Sequence, residues 1–423
     1  MTTLRPPSRR SPEPQEPASR ERRGFAAVVP ITRMFSPENR DSLLLIGVTL
    51  FLVAFGLVMV LSASSVEEQS ATGDPFGRVI RQAVFAAVAI PLMLIVGRLP
   101  VAFWRRWAWP AVLIAGGMQL LVFVPGIGSE DSYNRNWLYI GSFSVQPSEF
   151  LKLALVVWIG VVLGRRAEQL DDWRRLVLPV GPIAGLAIGL VLIGNDLGTS
   201  AIMFMIVFAC ALFAGAKLSH LVLGGLGVVI VALVVAFSNQ SRAGRLGTFF
   251  EGCTDDDYAG YCWQSMHGMW ALASGGVLGV GLGNSRSKWN WLPEADSDYI
   301  FAIIGEELGL VGALVVLVLY ALMAIVLVRI ARRARESTTR IVTGGVLVWV
   351  VGQAFVNIGV VLGVLPVLGV PLPLISSGGS SLIAVLLAIG VVLSLARAET
   401  QNAQRIAAQA PLGAPGPRRP GRR

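Results

Sequence analysis

The chain has 423 residues, of which 54% are hydrophobic and only 14% charged, with a formal net charge of +9 and a mean hydropathy of +0.65. That composition excludes a soluble protein of several domains and indicates a polytopic membrane protein. The apolar runs are of helix length rather than alternating at period two, which excludes a membrane β-barrel and predicts an all-α bundle.

In chain order, residues 1–41 are rich in Pro, Arg, Ser and Glu and read as a disordered arm. No cleavable signal peptide is visible before the first apolar run, so the first span is expected to direct insertion. Ten transmembrane helices are predicted at 43–63, 79–97, 107–125, 148–164, 176–194, 198–215, 219–237, 299–328, 340–361 and 379–396. They form a membrane domain over 42–397 with one large outer loop, 238–298, and a basic, disordered tail follows over 398–423. With both termini inside, 27 of the 35 Lys and Arg fall on the inner side: eight in the arm, Arg98, Arg105 and Arg106, then Arg165, Arg166, Arg174 and Arg175, then Lys217, then five from Arg329 to Arg340, and six from Arg397 to Arg423. This bias predicts both termini in the cytoplasm. It also assigns the net charge to anionic headgroups rather than to nucleic acid.

The first outer constellation is NRNWLYIG, with Arg135 and Trp137 in one loop, where an aromatic is also a normal interfacial anchor. Next, QPSEFLK places Glu149 and Lys152 three residues apart on one helix face. They read either as a self-neutralising pair or as a charged wall of an outward-facing cavity. Asp196, in IGNDLGTS, sits where one span turns into the next and suits a turn or helix cap.

The long outer loop carries Cys253 and Cys262, which either close a short disulfide ring or remain free thiols, while Cys210 reads as a small core residue. At its end, the stretch from Gly281 to Gly309 concentrates Pro293, Glu294, Asp296 and Asp298 at the mouth of a span holding Glu306 and Glu307. Intramembrane acids are costly, so such a cluster marks a candidate site. Near the C-terminus, Gln353 and Asn357 share a helix face before the chain breaks into Pro, Gly and Ser. Gly378, Gly379, Ser380 and Ser381 then suggest a re-entrant turn, since irregular backbone at this depth must lie against protein or a water-filled cavity. No metal-ligand spacing, nucleotide loop or nucleophile motif is visible, and His220 and His267 are too few for a histidine relay. The outer carboxylates, indoles and cations such as Arg242, Arg245, Arg286 and Lys288 suit an anionic, sugar-bearing lipid.

Four ordered motifs now coincide: QPSExxK over Gln146–Lys152, DLGT over Asp196–Thr199, GLGxSxxKxxxLPExxxDxIFAIIGEELG from Gly281, and NIGVxxGxLPxxGxPLPxISxGGSS from Asn357. Together they resemble the SEDS family, the FtsW and RodA glycan polymerases of bacterial cell-wall synthesis, over nearly all of residues 43–396. The IIGEELG and ISSGGSS runs look more similar to the division type, FtsW, than to the elongation type, RodA. The resemblance implies a SEDS-type bundle and an inverting peptidoglycan glycosyltransferase. Such an enzyme joins lipid II units at the outer face of the cytoplasmic membrane, at the septum for the division type. It also implies a divalent cation, Mg or Mn, with ligands unread, and a class B penicillin-binding protein as transpeptidase partner, with other divisome proteins met through the arms.

The family's essential aspartate corresponds to Asp298, and its Glu, Lys and loop Trp to Glu149, Lys152 and Trp137. The expected substrate-binding set adds Arg135, Asp196, Gln264, Ser285, Lys288, Glu294, Asn357, Ser377, Gly378, Gly379 and Ser380. Lys152, Lys288 and Arg286 are expected to stabilise the departing pyrophosphate, and Glu306, about 12 Å deeper than Asp298 along a helix, to be structural. This chain departs from the family twice, with Asn136 where Arg usually precedes the tryptophan, and Gly194 and Asn195 where Gln-Pro usually precedes DLGT. The rival classes are a lipid-precursor flippase or transporter, disfavoured because the acids cluster at the outer surface rather than the midplane, and a scaffold acting through its arms.

Overall fold

In the structure, a computed structural model, residues 37–128, 135–141, 143–167, 172–237, 240–253, 260, 262–289 and 291–409 are described. The expected arm up to residue 36 and the tail from 410 lie outside the described residues. Helices α1 (Pro37–Thr72), α2 (Gly77–Val96) and α3 (Val101–Leu121) lead to an antiparallel hairpin of β1 (Leu138–Ile140) and β2 (Phe143–Val145), in which Leu138 faces Val145. Then come α4 (Pro147–Gly164), α5 (Trp173–Ile193), α6 (Leu197–Ala214) and α7 (Leu218–Phe237). The long loop contains α8 (Gln240–Glu251) and α9 (Trp263–Gly275). The bundle closes with α10 (Ile300–Arg333), α11 (Ser337–Val361), which holds a π-turn at Val348–Gly352, and α12 (Gly379–Gln409).

Eight described helices, α1, α2, α4, α5, α6, α10, α11 and α12, are long and apolar enough to cross a membrane. Of the other two expected spans, α3 carries Arg105 and Arg106 in its first two turns, and α7 is a helix of 20 residues, Leu218–Phe237. Helix α4 has no polar stripe after Lys152, and a helix that is apolar all round belongs in the middle of a bundle. It packs against α3, α6, α11 and α12, with Trp158 fully buried. Helices α1, α2, α5 and α7 leave large apolar side chains exposed, as a lipid-facing rim does.

Three boundaries differ from expectation. Helix α1 runs nine residues past 63, because SSVEEQSAT continues the helix, which brings Glu67 and Glu68 to Arg78 of α2. The tail is helical to Gln409, since its Ala, Gln, Glu and Arg residues are good helix formers. Most consequential is α10, which is broken at Gly309 (φ 65°, ψ −163°). There the turn after α9 inserts into the ladder: Val280 and Gly281 N–H donate to the carbonyls of Glu306 and Glu307, while Leu310 and Val311 N–H donate to those of Gly276 and Val277. A Cβ on Gly309 would lie 2.4 Å from Gly279 N, so the junction requires glycine.

At the end of the bundle away from the carboxylate cluster, Arg333 pairs with Asp41 at 2.6 Å and Arg105 pairs with Glu336. The Glu336 N–H in turn donates to Glu399 at 2.8 Å, tying α11 to α12.

Candidate active site

Asp298 ends a short loop that enters α10, and its backbone is held from several directions. The amide of Asn357 in α11 donates to Asp298 O and to Val370 O, both at 2.7 Å. Ser376 Oγ donates to Ser297 O at 2.5 Å, and the Ser377 N–H donates to Asp296 O at 2.9 Å. From α2, Arg78 pairs with Asp296 at 2.9 Å and with Glu68 at 2.9 Å, while Gln82 donates to Ser376 O and accepts from the Gly378 N–H. Glu294 makes the turn in a left-handed conformation (φ 55°), its carbonyl accepting from the Ser297 and Tyr299 N–H groups.

The Asp298 carboxyl itself is half-buried. Burial, reinforced by the carboxylates of Glu294, Asp196 and Asp296 and opposed by Arg245, pushes it up to about 7. A carboxylate so raised can hold or release a proton at working pH, the property of a general base.

Beside this loop lies a buried polar chain. Lys152 Nζ donates to Glu149 at 2.8 Å and to Gln353 Oε1 at 3.2 Å, and sits 5.2 Å from the Trp349 ring centre. Gln353 donates onward to Pro371 O at 2.9 Å. Asp196 caps α6 by accepting from the Thr199 N–H at 2.8 Å, as the sequence suggested, and also accepts from Gln146 at 3.2 Å. Burial pushes Asp196 upward, with Thr199 and Lys152 opposing and Glu149 adding to the rise. Gln146 N–H donates to Ser380 Oγ at 3.3 Å, so the start of α12 joins the same group.

The two departures from the family pattern touch each other. A Cβ at Gly194 would fall 2.5 Å from Asn136 Oδ1 and 2.7 Å from Arg135 O, and Arg135 N–H donates to Gly194 O at 3.1 Å. Asn195 is left-handed (φ 69°), which proline cannot adopt. Glycine and asparagine thus replace Gln-Pro as a unit with Asn136, and the clamp joins the Trp137 loop to the Asp196 turn. Trp137 is half-buried and Arg135 exposed.

Several expected roles need correction. Glu149 and Lys152 do not form an open wall: at 1% and 0% exposure they are an internal pair, shut off because α6, α11 and α12 close over α4. Lys288 is not directed at a leaving group either. Its Nζ donates to Gly283 O at 2.6 Å and lies 3.4 Å from Glu307. Ser285 donates to Glu306 at 2.6 Å, and Glu306 accepts from the Arg286 N–H at 2.9 Å. Glu307 also accepts from Ser62 Oγ of α1 at 2.7 and 2.6 Å. Glu306 and Glu307 therefore pin the 281–288 turn, and Ser285 and Lys288 belong to that scaffold. The Asn357 NH2 group and the backbone N–H groups of Ser377 and Gly378 are likewise taken by the Asp298 loop, Val370 O and Gln82, and Gly379 lies where a Cβ would overlap the Phe85 ring.

Among the described residues whose charges act on Asp298, Glu294 and Arg245 of α8 are exposed. Gln264 is half-buried and donates to Pro293 O at 3.3 Å. Cys253 and Cys262 are joined in a disulfide linking the end of α8 to the start of α9. Sequence reasoning missed Arg78 and Gln82. Their signal was the cluster Arg78, Arg81 and Gln82 in the first turns of a span that is apolar thereafter.

Residues 42–401 match the cell cycle protein family of FtsW, RodA and SpoVE. The chain belongs to this family. It is 39% identical to the probable peptidoglycan glycosyltransferase FtsW of Mycobacterium tuberculosis, over 85% of this chain and 68% of that protein. With the stage V sporulation protein E of Bacillus subtilis it shares 34% identity over 86% of this chain and 99% of the relative. Among solved structures it resembles, at TM-score 0.68 and 25% identity, a chain of a peptidoglycan synthase complex described as coordinating polymerization and crosslinking, covering 84% of this chain and 98% of that one. As an FtsW/RodA/SpoVE protein the chain is thus a multi-pass membrane protein. Among the described residues no three His, Cys, Asp or Glu side chains gather as a metal-binding group.

Proposed function

We propose that this chain is a peptidoglycan glycosyltransferase that polymerises lipid II with inversion, using Asp298 as the base. The names of its relatives support the activity: FtsW proteins at 32–39% identity are called probable peptidoglycan glycosyltransferases. The observation that carries the residue assignment is a half-buried carboxyl raised to about 7, on a backbone fixed by Asn357, at the mouth of the α10 helix.

The acceptor sugar 4-hydroxyl gives its proton to Asp298 as its oxygen bonds to the donor anomeric carbon. The bond from that carbon to the pyrophosphate oxygen breaks, and the leaving group carries the electron pair away as lipid pyrophosphate. A positioned base of this kind supplies about 10² to 10⁴-fold. Arg245, whose charge acts on Asp298, and the exposed Arg286 are the cations left to offset the departing charge, in place of the enclosed Lys152 and Lys288.

This reading includes α3 and α7 as the ninth and tenth spans, both termini in the cytoplasm, action at the division septum, and a class B penicillin-binding protein as partner. The basic residues at the inner ends and the resemblance to a chain of a synthase complex support it. Purified Asp298→Asn protein tests the assignment: it should keep its melting temperature and lose polymerisation of lipid II. Retained activity would move the base elsewhere.

A further inference from the structure

One feature of the outer loop has no part in proton transfer. Around His267 of α9 three indoles gather, with Trp263 at 4.0 Å between ring centres, Trp270 at 4.9 Å and Trp291 at 5.9 Å. Trp263 and Trp291 lie within 15° of parallel, 6.1 Å apart. His267 is buried inside the group, yet Trp270 and Trp291 remain 49% and 54% exposed. Rings arranged this way offer a wide, rigid, apolar face at little entropic cost.

The group is built onto the catalytic loop. Trp263 Nε1–H donates to Trp291 O at 2.9 Å, and the Gln264 amide donates to Pro293 O. One turn further along α9, Gly268 sits so close to Tyr299 that a Cβ there would lie 2.6 Å from its ring. From Trp291 the exposed side of the chain continues through Pro293 and Glu294 to Asp298, while Leu292 and Ala295 point inward. Glu294 and Ser297, on the same stretch of chain, add groups able to hydrogen-bond hydroxyls and amides.

We propose that Trp263, Trp270 and Trp291 form a stacking platform for the sugar rings of the growing glycan strand next to Asp298. A β-1,4-linked pyranose presents its axial C–H bonds as an apolar face that packs on an indole, while its hydroxyl and acetamido edges need polar neighbours. An interfacial anchor works differently, by sending its indole N–H to lipid headgroups. Trp263 has committed that N–H to the Trp291 carbonyl. The occupant rests on the polymerase reading, since a strand made at Asp298 must leave across a neighbouring surface.

The test uses the purified full chain in nanodiscs and a soluble β-1,4-linked N-acetylglucosamine tetramer, read by indole fluorescence and by calorimetry. The wild type should bind it, and Trp291→Ala should weaken binding by about three- to tenfold, the range for one lost aromatic contact. Trp291→Phe should restore part of the loss. Both variants keep the backbone carbonyl that Trp263 uses, and an unchanged melting temperature will show that they fold. With lipid II, Trp291→Ala should yield shorter strands. Equal binding by wild type and Trp291→Ala, or indole emission that follows only the anionic lipid fraction of the nanodisc, would overturn the platform. Tetramer binding needs no turnover, so binding without polymerisation would instead count against the enzyme reading.

Discussion

If Asp298 is the base, the rate of polymerisation should follow its ionisation. The carboxyl is held well above the ordinary aspartate value, at about 7, because burial disfavours its charged form and three acids surround it, with Arg245 opposing. Only the ionised form accepts a proton, so activity should rise with pH through about 7. Relative to the plateau, about a tenth should remain at pH 6, about half at pH 7 and about nine-tenths at pH 8. Two substitutions give opposite signs. Glu294→Gln removes the neighbouring charge with the largest raising effect and should move this acid limb to lower pH. Arg245→Ala removes the opposing cation and should move it higher. Tyr299 also feels both Asp298 and Arg245, but burial holds it above this range, so it should not contribute. The assay is the initial rate of strand formation from labelled lipid II between pH 5.5 and 8.5. A flat profile, or the same direction of shift in both variants, would refute the assignment.

Other substitutions probe the scaffold. Glu307→Gln leaves buried Lys288 without its charge partner and should cost roughly 3 to 5 kcal/mol. Adding Lys288→Met should return part of the lost melting temperature, and a double variant no better than the single would contradict that pairing. Asn357→Ala frees the carbonyls of Asp298 and Val370 and should destabilise by about 1 to 3 kcal/mol. Its polymerisation rate should fall further than the melting shift alone explains; an unchanged rate would mean that the Asp298 backbone needs no such tether. Gly309→Ala forces a Cβ against Gly279 N and Val277 O at a left-handed position. It should sharply lower the yield of folded protein, measured by size-exclusion chromatography in detergent, whereas Gly47→Ala, where nothing lies within 4 Å, should not.

The membrane class, the approximate positions of most helices, the gathering of acids at the entry to α10 and the family were legible in the sequence. Each depends on something local: apolar length, the cost of acids near hydrocarbon, and four motifs in order. Asp196 as a helix cap was equally local, requiring only Asp followed three residues later by Thr199. The break at Gly309 was not legible, because it depends on a turn some thirty residues earlier inserting its N–H groups into the α10 ladder. Nor could spacing show which cations meet solvent. Lys152 and Lys288 look like ligands for pyrophosphate until helices distant in sequence close over one and Glu307 captures the other. Arg78 and Gln82 lie more than two hundred residues from the loop they hold. Local patterns record the solvent each segment must enter, hydrocarbon or water. Which buried polar group satisfies which partner is settled only when the helices pack, since each unsatisfied group in a low-dielectric interior costs energy that its own segment cannot offset.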